Sequence, residues 1–298
     1  MKTVLTIAGS DPCGGAGIQA DIKTMTVNGV YAMSVVTALT VQNTTGVHGI
    51  LEVPAEFVKA QMDDVFTDIR PDAVKIGMLP SEAVIKAVAE KLREYQAGPV
   101  VLDPVLASTG GIRLTEAAAV RTLQEELFPL AALITPNLPE TEALTGRKIV
   151  SRREMEQAAG LLSERWRCAV LCKGGHRVSD ADDLLYADGE ARWIAGKRID
   201  NPNTHGTGCT LSSAIAGNLA KGDGLYEAVG KAKDYLNRVL SARLALGKGI
   251  GPMAHAYPFV GGSVPPGSRE TEAALPPIPC HRADIGCVKS NEAADEKG

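Results

Sequence analysis

Residues 201–214 read Asn-Pro-Asn-Thr-His-Gly-Thr-Gly-Cys-Thr-Leu-Ser-Ser-Ala. Gly206 and Gly208 let the backbone turn sharply, and from Cys209 onward the apolar residues Leu211, Ala214, Ile215 and Leu219 recur at helical spacing. The pattern predicts a glycine loop feeding a helix N-terminus. Unpaired backbone N–H groups and the positive end of the helix dipole then converge on the loop and make a place for a phosphate or another anion. Cys209 stands at the helix start, where a thiol's pKa is expected to fall. A tight turn before a small packed cysteine has the same local sequence, so the flanking segments decide.

Upstream, short apolar runs alternate with amphipathic ones. Strands are predicted at 4–8, 34–41, 72–76, 100–102, 133–134 and 169–172, with helices at about 16–28, 54–66, 81–95, 115–128 and 151–164. A hairpin is predicted from 184–186 and 191–194 across Asp188-Gly189, and a long amphipathic helix closes the series at 225–246. Such alternation means an α/β fold, a mostly parallel central sheet with helices on both faces. Asp11, Gln42, Asp103 and Asn137 all fall at the C-terminal ends of predicted strands. Open parallel sheets place their ligands there.

Composition narrows the classes. The chain has 298 residues, 45% hydrophobic and 22% charged, with a net charge of −4. That suits a globular α/β protein and argues against a nucleic-acid-binding surface. The first apolar run is too short for a signal peptide, and the uncharged stretch 24–51 is too often interrupted by polar residues for a membrane span, so a cytoplasmic location is expected. The six cysteines show no disulfide framework, and Cys280, His281 and Cys287 fit none of the usual zinc spacings. Gly15-Ala16-Gly17-Ile18-Gln19-Ala20 fits a dinucleotide fingerprint, but no acidic residue occurs between Asp21 and Glu52 to hold a ribose. From Pro258 the chain turns rich in Pro, Gly, Ser and charge, so residues 258–298 are expected to form a disordered tail after a domain of residues 1–257.

If the loop holds an anion, a divalent cation belongs nearby. Asp103 and Asn137 with Glu140 supply hard oxygen donors suited to Mg²⁺ beside a nucleotide phosphate, and Lys173 before two glycines is placed to reach a phosphate. A turn-forming Asp103, a helix-capping Asn137, a solvated Glu140 and a solvated Lys173 explain the same residues. No Gly-x-x-x-x-Gly-Lys-Ser/Thr run is present, so an ordinary P-loop is excluded.

Seven segments in order carry a resemblance: 8–24, 37–44 (Thr-Ala-Leu-Thr-Val-Gln-Asn-Thr), 75–79 (Lys-Ile-Gly-Met-Leu), 103–105, 135–140 (Thr-Pro-Asn-Leu-Pro-Glu), 173–176 and 204–214. Over about residues 3–257 the chain resembles the bacterial hydroxymethylpyrimidine/phosphomethylpyrimidine kinases of thiamine biosynthesis, within the ribokinase-like superfamily. The resemblance implies a three-layer α/β/α sandwich, a homodimer, and two successive ATP- and Mg²⁺-dependent phosphorylations. It implies that Gly9, Asp21, Gln42, Met78 and Val105 line the pyrimidine pocket, that Asn137, Lys173, Thr204 and Thr207 meet ATP, and that Asp103 and Glu140 organise Mg²⁺. Gly206, Gly208 and Cys209 would form the anion hole, with Cys209 as base of the first phosphorylation. Gln42 suits an aminopyrimidine, since an amide donates to a ring nitrogen and accepts from an exocyclic amine. The chain departs from the family at Leu106-Ala107-Ser108-Thr109-Gly110-Gly111, where a Met followed by Lys or Ser is usual. Two other readings stand beside it: a pyridoxal kinase, although such relatives tend to carry an apolar residue at Gln42, and a non-catalytic pyrimidine sensor.

Overall fold

In the computed structural model, residues 1–106, 117–175 and 181–257 are described. The predicted tail 258–298, with Cys280 and Cys287, lies outside them, as does most of the departure at 106–111.

The chain runs β1 (Thr3–Ser10), α1 (Gly17–Val27), β2 (Tyr31–Asn43), β3 (Gly46–Glu52), α2 (Ala55–Asp68), β4 (Ala73–Ile76), α3 (Glu82–Glu94), β5 (Val100–Leu102), α4 (Ala117–Glu126), β6 (Leu133–Ile134), α5 (Leu138–Thr145), α6 (Arg152–Trp166), β7 (Ala169–Cys172), β8 (Asp183–Ala187), β9 (Glu190–Ile194), α7 (Thr207–Ala220) and α8 (Leu225–Ser241). One nine-stranded sheet has the order β3-β2-β1-β4-β5-β6-β7-β8-β9. Pairing is parallel from β2 to β7 and antiparallel for β2–β3, β7–β8 and β8–β9.

The period of two along each strand sorts side chains to the two faces. Leu5, Ile7, Val74, Leu102, Ile134 and Val170 pack with α2, α3, α4 and α6. Val4, Ala73, Val101, Leu133 and Leu171 pack with α1, α7 and α8 on the other side. Strands buried on both faces read as unbroken apolar runs, as parallel sheets require.

Two elements were not expected. β3 is an edge strand paired antiparallel with β2; its Gly46, His48 and Gly49 break the strand signature, and the turn is set by Asn43 Oδ1 accepting from Thr45 N at 2.8 Å. α5 is a short helix fixed by its cap. Asn137 accepts from Glu140 N and Glu140 accepts from Asn137 N, each at 2.8 Å. α8 ends at Ser241, ahead of Arg243 with φ 49°, short of the expected 246.

The result for the site is positional. α7 lies across β1, β4 and β5, so its N-terminus opens among the C-terminal ends of the central parallel strands.

Candidate active site

Gly206 caps α7 with φ 85°, and a Cβ there would lie 1.8 Å from the Gly15 carbonyl oxygen; only glycine fits. The helix therefore starts at Thr207, two residues before the expected Cys209, so that Gly206 ends the loop and Gly208 lies within the first turn. A Cβ on Gly208 would fall 2.9 Å from Asp103 Oδ2 and 3.3 Å from Lys173 Nζ. Thus an aspartate, a lysine and the free N–H groups of a helix start face one small clearing, a cradle that one methyl group would fill.

On one wall, Asp103 Oδ1 accepts from Lys173 Nζ at 2.7 Å and from Thr135 Oγ1 at 3.0 Å. Burial disfavours the Lys173 charge, but Asp103 and Glu140 outweigh it and hold the ammonium above its ordinary pKa. Burial pushes the Glu140 carboxyl up to about 7, Lys173 pulls against it, and the Asp103 charge adds to the rise. Two carboxylates and a lysine thus sense one another in a water-poor pocket, and the oxygen donors of Asp103 and Glu140 suit a hard divalent cation.

Beneath α7 lies a second pair. Lys75 and Asp21 are both fully buried. Lys75 Nζ donates to both Asp21 oxygens at 2.9 and 2.8 Å, Thr6 Oγ1 donates at 2.6 Å and Ser213 Oγ at 2.7 Å. Burial would strip the Lys75 proton; Asp21, with Cys209 and Asp103, outweighs it and raises the pKa.

On the other wall, Gly9 and Met78 meet: a Cβ on Gly9 would touch Met78 Sδ at 3.0 Å. Thr37 Oγ1 donates to the Met78 carbonyl at 2.8 Å, and Thr40 Oγ1 donates to that of Ser10, also at 2.8 Å. Gln42 is half-buried next to Thr40 and His205. An apolar surface of Gly9 and Met78 with one amide at its rim suits a small heteroaromatic ring.

The comparisons agree with one another. A family model described as phosphomethylpyrimidine kinase matches residues 11–254. The chain belongs to the phosphomethylpyrimidine kinase family. It is 44% identical to the hydroxymethylpyrimidine/phosphomethylpyrimidine kinase of Haemophilus influenzae, over 86% of this chain and 97% of that one. It is 50% identical to the thiamine biosynthesis bifunctional protein of Geobacter sulfurreducens over 85% of this chain, but spans only 52% of that longer protein. Among solved structures it is similar to the phosphomethylpyrimidine kinase of Clostridium difficile, with 41% identity, TM-score 0.72 and coverage of 80% and 98%. A Bacillus subtilis pyridoxal kinase in an ADP complex gives 35% identity, TM-score 0.81 and coverage of 87% and 99%. The α/β fold with helices on both faces is the fold of these kinases.

Several residues expected to act in this family stand differently from their sequence reading. Asp21 is wholly buried, and three protein donors, Lys75, Thr6 and Ser213, make four hydrogen bonds to its oxygens, as many as a carboxylate accepts. Asn137 takes the capping role that the sequence also allows, its oxygen spent on Glu140 N. Glu140 is buried rather than solvated, 8% exposed. Cys209 lies in the first turn of the helix, yet its thiol pKa goes up to about 11, because burial outweighs the nearby Lys75. The helix-start rule predicts the reverse sign; here burial, with the Asp21 and Asp103 charges, sets the direction. Thr204 and Thr207 are half-buried in the loop and linked, Thr207 N donating to the Thr204 carbonyl at 3.3 Å; Val105 is half-buried beside Asp103.

Lys75 was missed as a site residue, although a lone charge inside Ala73-Val-Lys-Ile76, a strand buried on both faces, is a signal in itself. His205, 8% exposed and bonded to Asp11 at 2.8 Å, was also missed. Asp11, Cys13 and His205 bring ligand atoms within 4.8 Å of one another, but Asp11 already accepts from the backbone N–H groups of Cys13, Gly15 and Ala16. Among the described residues no helix is long and apolar enough to cross a membrane.

Proposed function

We propose that this family member transfers the γ-phosphoryl group of ATP to the hydroxymethyl group of an aminopyrimidine, and then a second phosphoryl group to the resulting monophosphate. The observation that carries this reading is the juxtaposition of the Gly9–Met78–Gln42 wall with the α7 cradle, where Lys173 and Asp103 face the first turn of the helix at Gly208.

In this reading the helix N-terminus receives the charge that builds on the transferred phosphoryl, and Lys173 neutralises it from the side. Asp103 aims Lys173 through their 2.7 Å bond. Asp103 and Glu140 would hold Mg²⁺, which supplies further charge neutralisation when bound. Thr204 and Thr207 stand where the nucleotide phosphates enter. Gln42 and Val105 orient the ring. With a thiol held at about 11, Cys209 is protonated at neutral pH, so it orients the acceptor hydroxyl by a hydrogen bond and is not a resting thiolate base. The second acceptor, a phosphate with its second pKa near ~6, is largely ionised and relies on positioning.

A homodimer and a cytoplasmic setting accompany the reading, as does a catalytic domain spanning residues 1–257. The pyridoxal kinases among the solved relatives make pyridoxal the competing substrate. Incubation of the purified chain with Mg·ATP and, separately, hydroxymethylpyrimidine, its monophosphate and pyridoxal tests both, with ADP release and product mass as readouts. Conversion of the pyrimidine through to its diphosphate is expected. Turnover of pyridoxal alone would move the chain to the competing activity.

A further inference from the structure

We propose that His205, held by Asp11, is a positioning residue that fixes which end of the Gln42 amide faces which way, and so sets the order of donor and acceptor offered to the substrate ring.

Proton bookkeeping leads there. Asp11 Oδ2 accepts from Ala16 N at 2.8 Å, Gly15 N at 3.1 Å and Cys13 Sγ at 3.3 Å, and lies 2.8 Å from His205 Nε2. Burial works against its charge, but the bonds from His205, Cys13 and Ala16 hold the carboxyl down at about 2. A carboxylate has no proton to give, so the hydrogen in the 2.8 Å contact belongs to His205 Nε2. That nitrogen also lies 3.3 Å from the Gln42 amide. That one N–H, directed mainly at Asp11, cannot accept from an amide NH₂, so the amide end that fits beside it is the carbonyl oxygen, as the longer branch of a three-centre bond. As the structure stands, Gln42 Nε2 faces His205 and Oε1 accepts from Thr40 Oγ1 at 3.2 Å; the two ends of an amide have the same shape, and the proton count turns this one over. Thr40 gives its own proton to the Ser10 carbonyl at 2.8 Å, which leaves the hydroxyl an acceptor for the Gln42 NH₂. Both ends of the amide therefore point the same way in the proton count: Asp11 carboxylate, His205 N–H, Gln42 carbonyl; then Gln42 NH₂, Thr40 hydroxyl, Ser10 carbonyl.

One lone pair of Gln42 Oε1 and one hydrogen of its Nε2 remain, in a fixed order, for the ligand. An aminopyrimidine edge carries an amine beside a ring nitrogen, the complementary pair. An amide free to flip would offer the wrong order half the time. The consequence for the substrate rests on the pyrimidine kinase reading; the orientation itself does not.

Two measurements test it. In the free protein, ¹⁵N-histidine NMR is expected to show a proton on His205 Nε2; a bare Nε2 overturns the proposal whether or not the chain is a pyrimidine kinase. In steady-state kinetics, His205→Leu is expected to raise KM for hydroxymethylpyrimidine about five- to tenfold, the loss of one hydrogen bond, with KM for ATP within about twofold. His205→Gln, which returns an N–H, is expected to recover most of the loss. Thr40→Val, which removes the other anchor on a different element, is expected to raise the same KM and stands in if His205→Leu fails to fold. An unchanged pyrimidine KM, or His205→Gln no better than His205→Leu, overturns the role. No turnover of the pyrimidine by the parent chain, with Nε2 protonated, defeats the activity reading and leaves the orientation standing.

Discussion

The Asp21–Lys75 and Asp103–Lys173 pairs have the same chemistry and almost the same bond lengths, 2.8 and 2.7 Å, yet their surroundings differ in kind. The first is fully buried and closed, with Thr6 and Ser213 filling the remaining lone pairs of the carboxylate. In the second, Lys173 keeps a side chain 15% exposed, and Asp103 turns its second oxygen toward the Gly208 clearing. A saturated ion pair is part of the scaffold, since it has nothing left to offer a ligand. An unsaturated one beside a helix N-terminus is equipped to bind.

The largest effect should come from breaking the closed pair. Asp21→Ala leaves a buried ammonium uncompensated and is expected to cost about 3–5 kcal/mol of stability, measured by denaturant unfolding. Asp21→Leu with Lys75→Met, which removes both charges, should recover a large part of it. Comparable losses in the single and double variants would show that the pair carries more than charge balance.

Breaking the open pair should spare the fold and hurt turnover. Lys173→Met is expected to lower kcat/KM by roughly 10²–10³, the scale of one preorganised donor at developing charge, while its unfolding midpoint stays close to that of the parent. A parallel fall in stability would erase the distinction between the pairs.

Cys209 sits between them, and two smaller effects follow. Cys209→Ala should slow the first phosphorylation about tenfold more than the second, if the thiol orients only the alcohol; equal loss would reduce its role to packing. Because its thiol pKa is raised to about 11, thiolate is scarce at pH 7 and grows as pH rises. Alkylation of Cys209 in the free protein, followed by mass spectrometry, should therefore speed up about tenfold per pH unit from 7 toward 10. A plateau near neutral pH would mean that the helix dipole prevails over burial after all.

The same contrast explains what the sequence disclosed. The α7 loop was legible because glycine spacing and a helical apolar stripe are local signals, and the strand ends were legible because apolar runs stop at Asp11, Asp103 and Thr135. His205 and the closed state of Asp21 were not, since each depends on partners far along the chain; Lys75 was readable only as a charge inside an apolar strand, its partner lying 54 residues away. β3 escaped because an edge strand tolerates His48 and two glycines, and the sign of the Cys209 shift escaped because burial, a tertiary quantity, reverses a rule that holds for an exposed helix start. Asn137 and Glu140 had a capping pattern in plain view; what could not be read was that the cap is buried.

Those long spans have a kinetic side. The hydroxyl on Asp21 comes from Ser213, 192 residues away, and the ring on Asp11 from His205, 194 away. Contacts that close so long a span form late, because loop closure must precede them. The anion cradle and the Gln42 anchor should therefore appear together, at the final step of folding. A chain arrested before α7 docks would have much of its sheet and none of its binding capacity, so ligand binding reports that the two ends of the described chain have met.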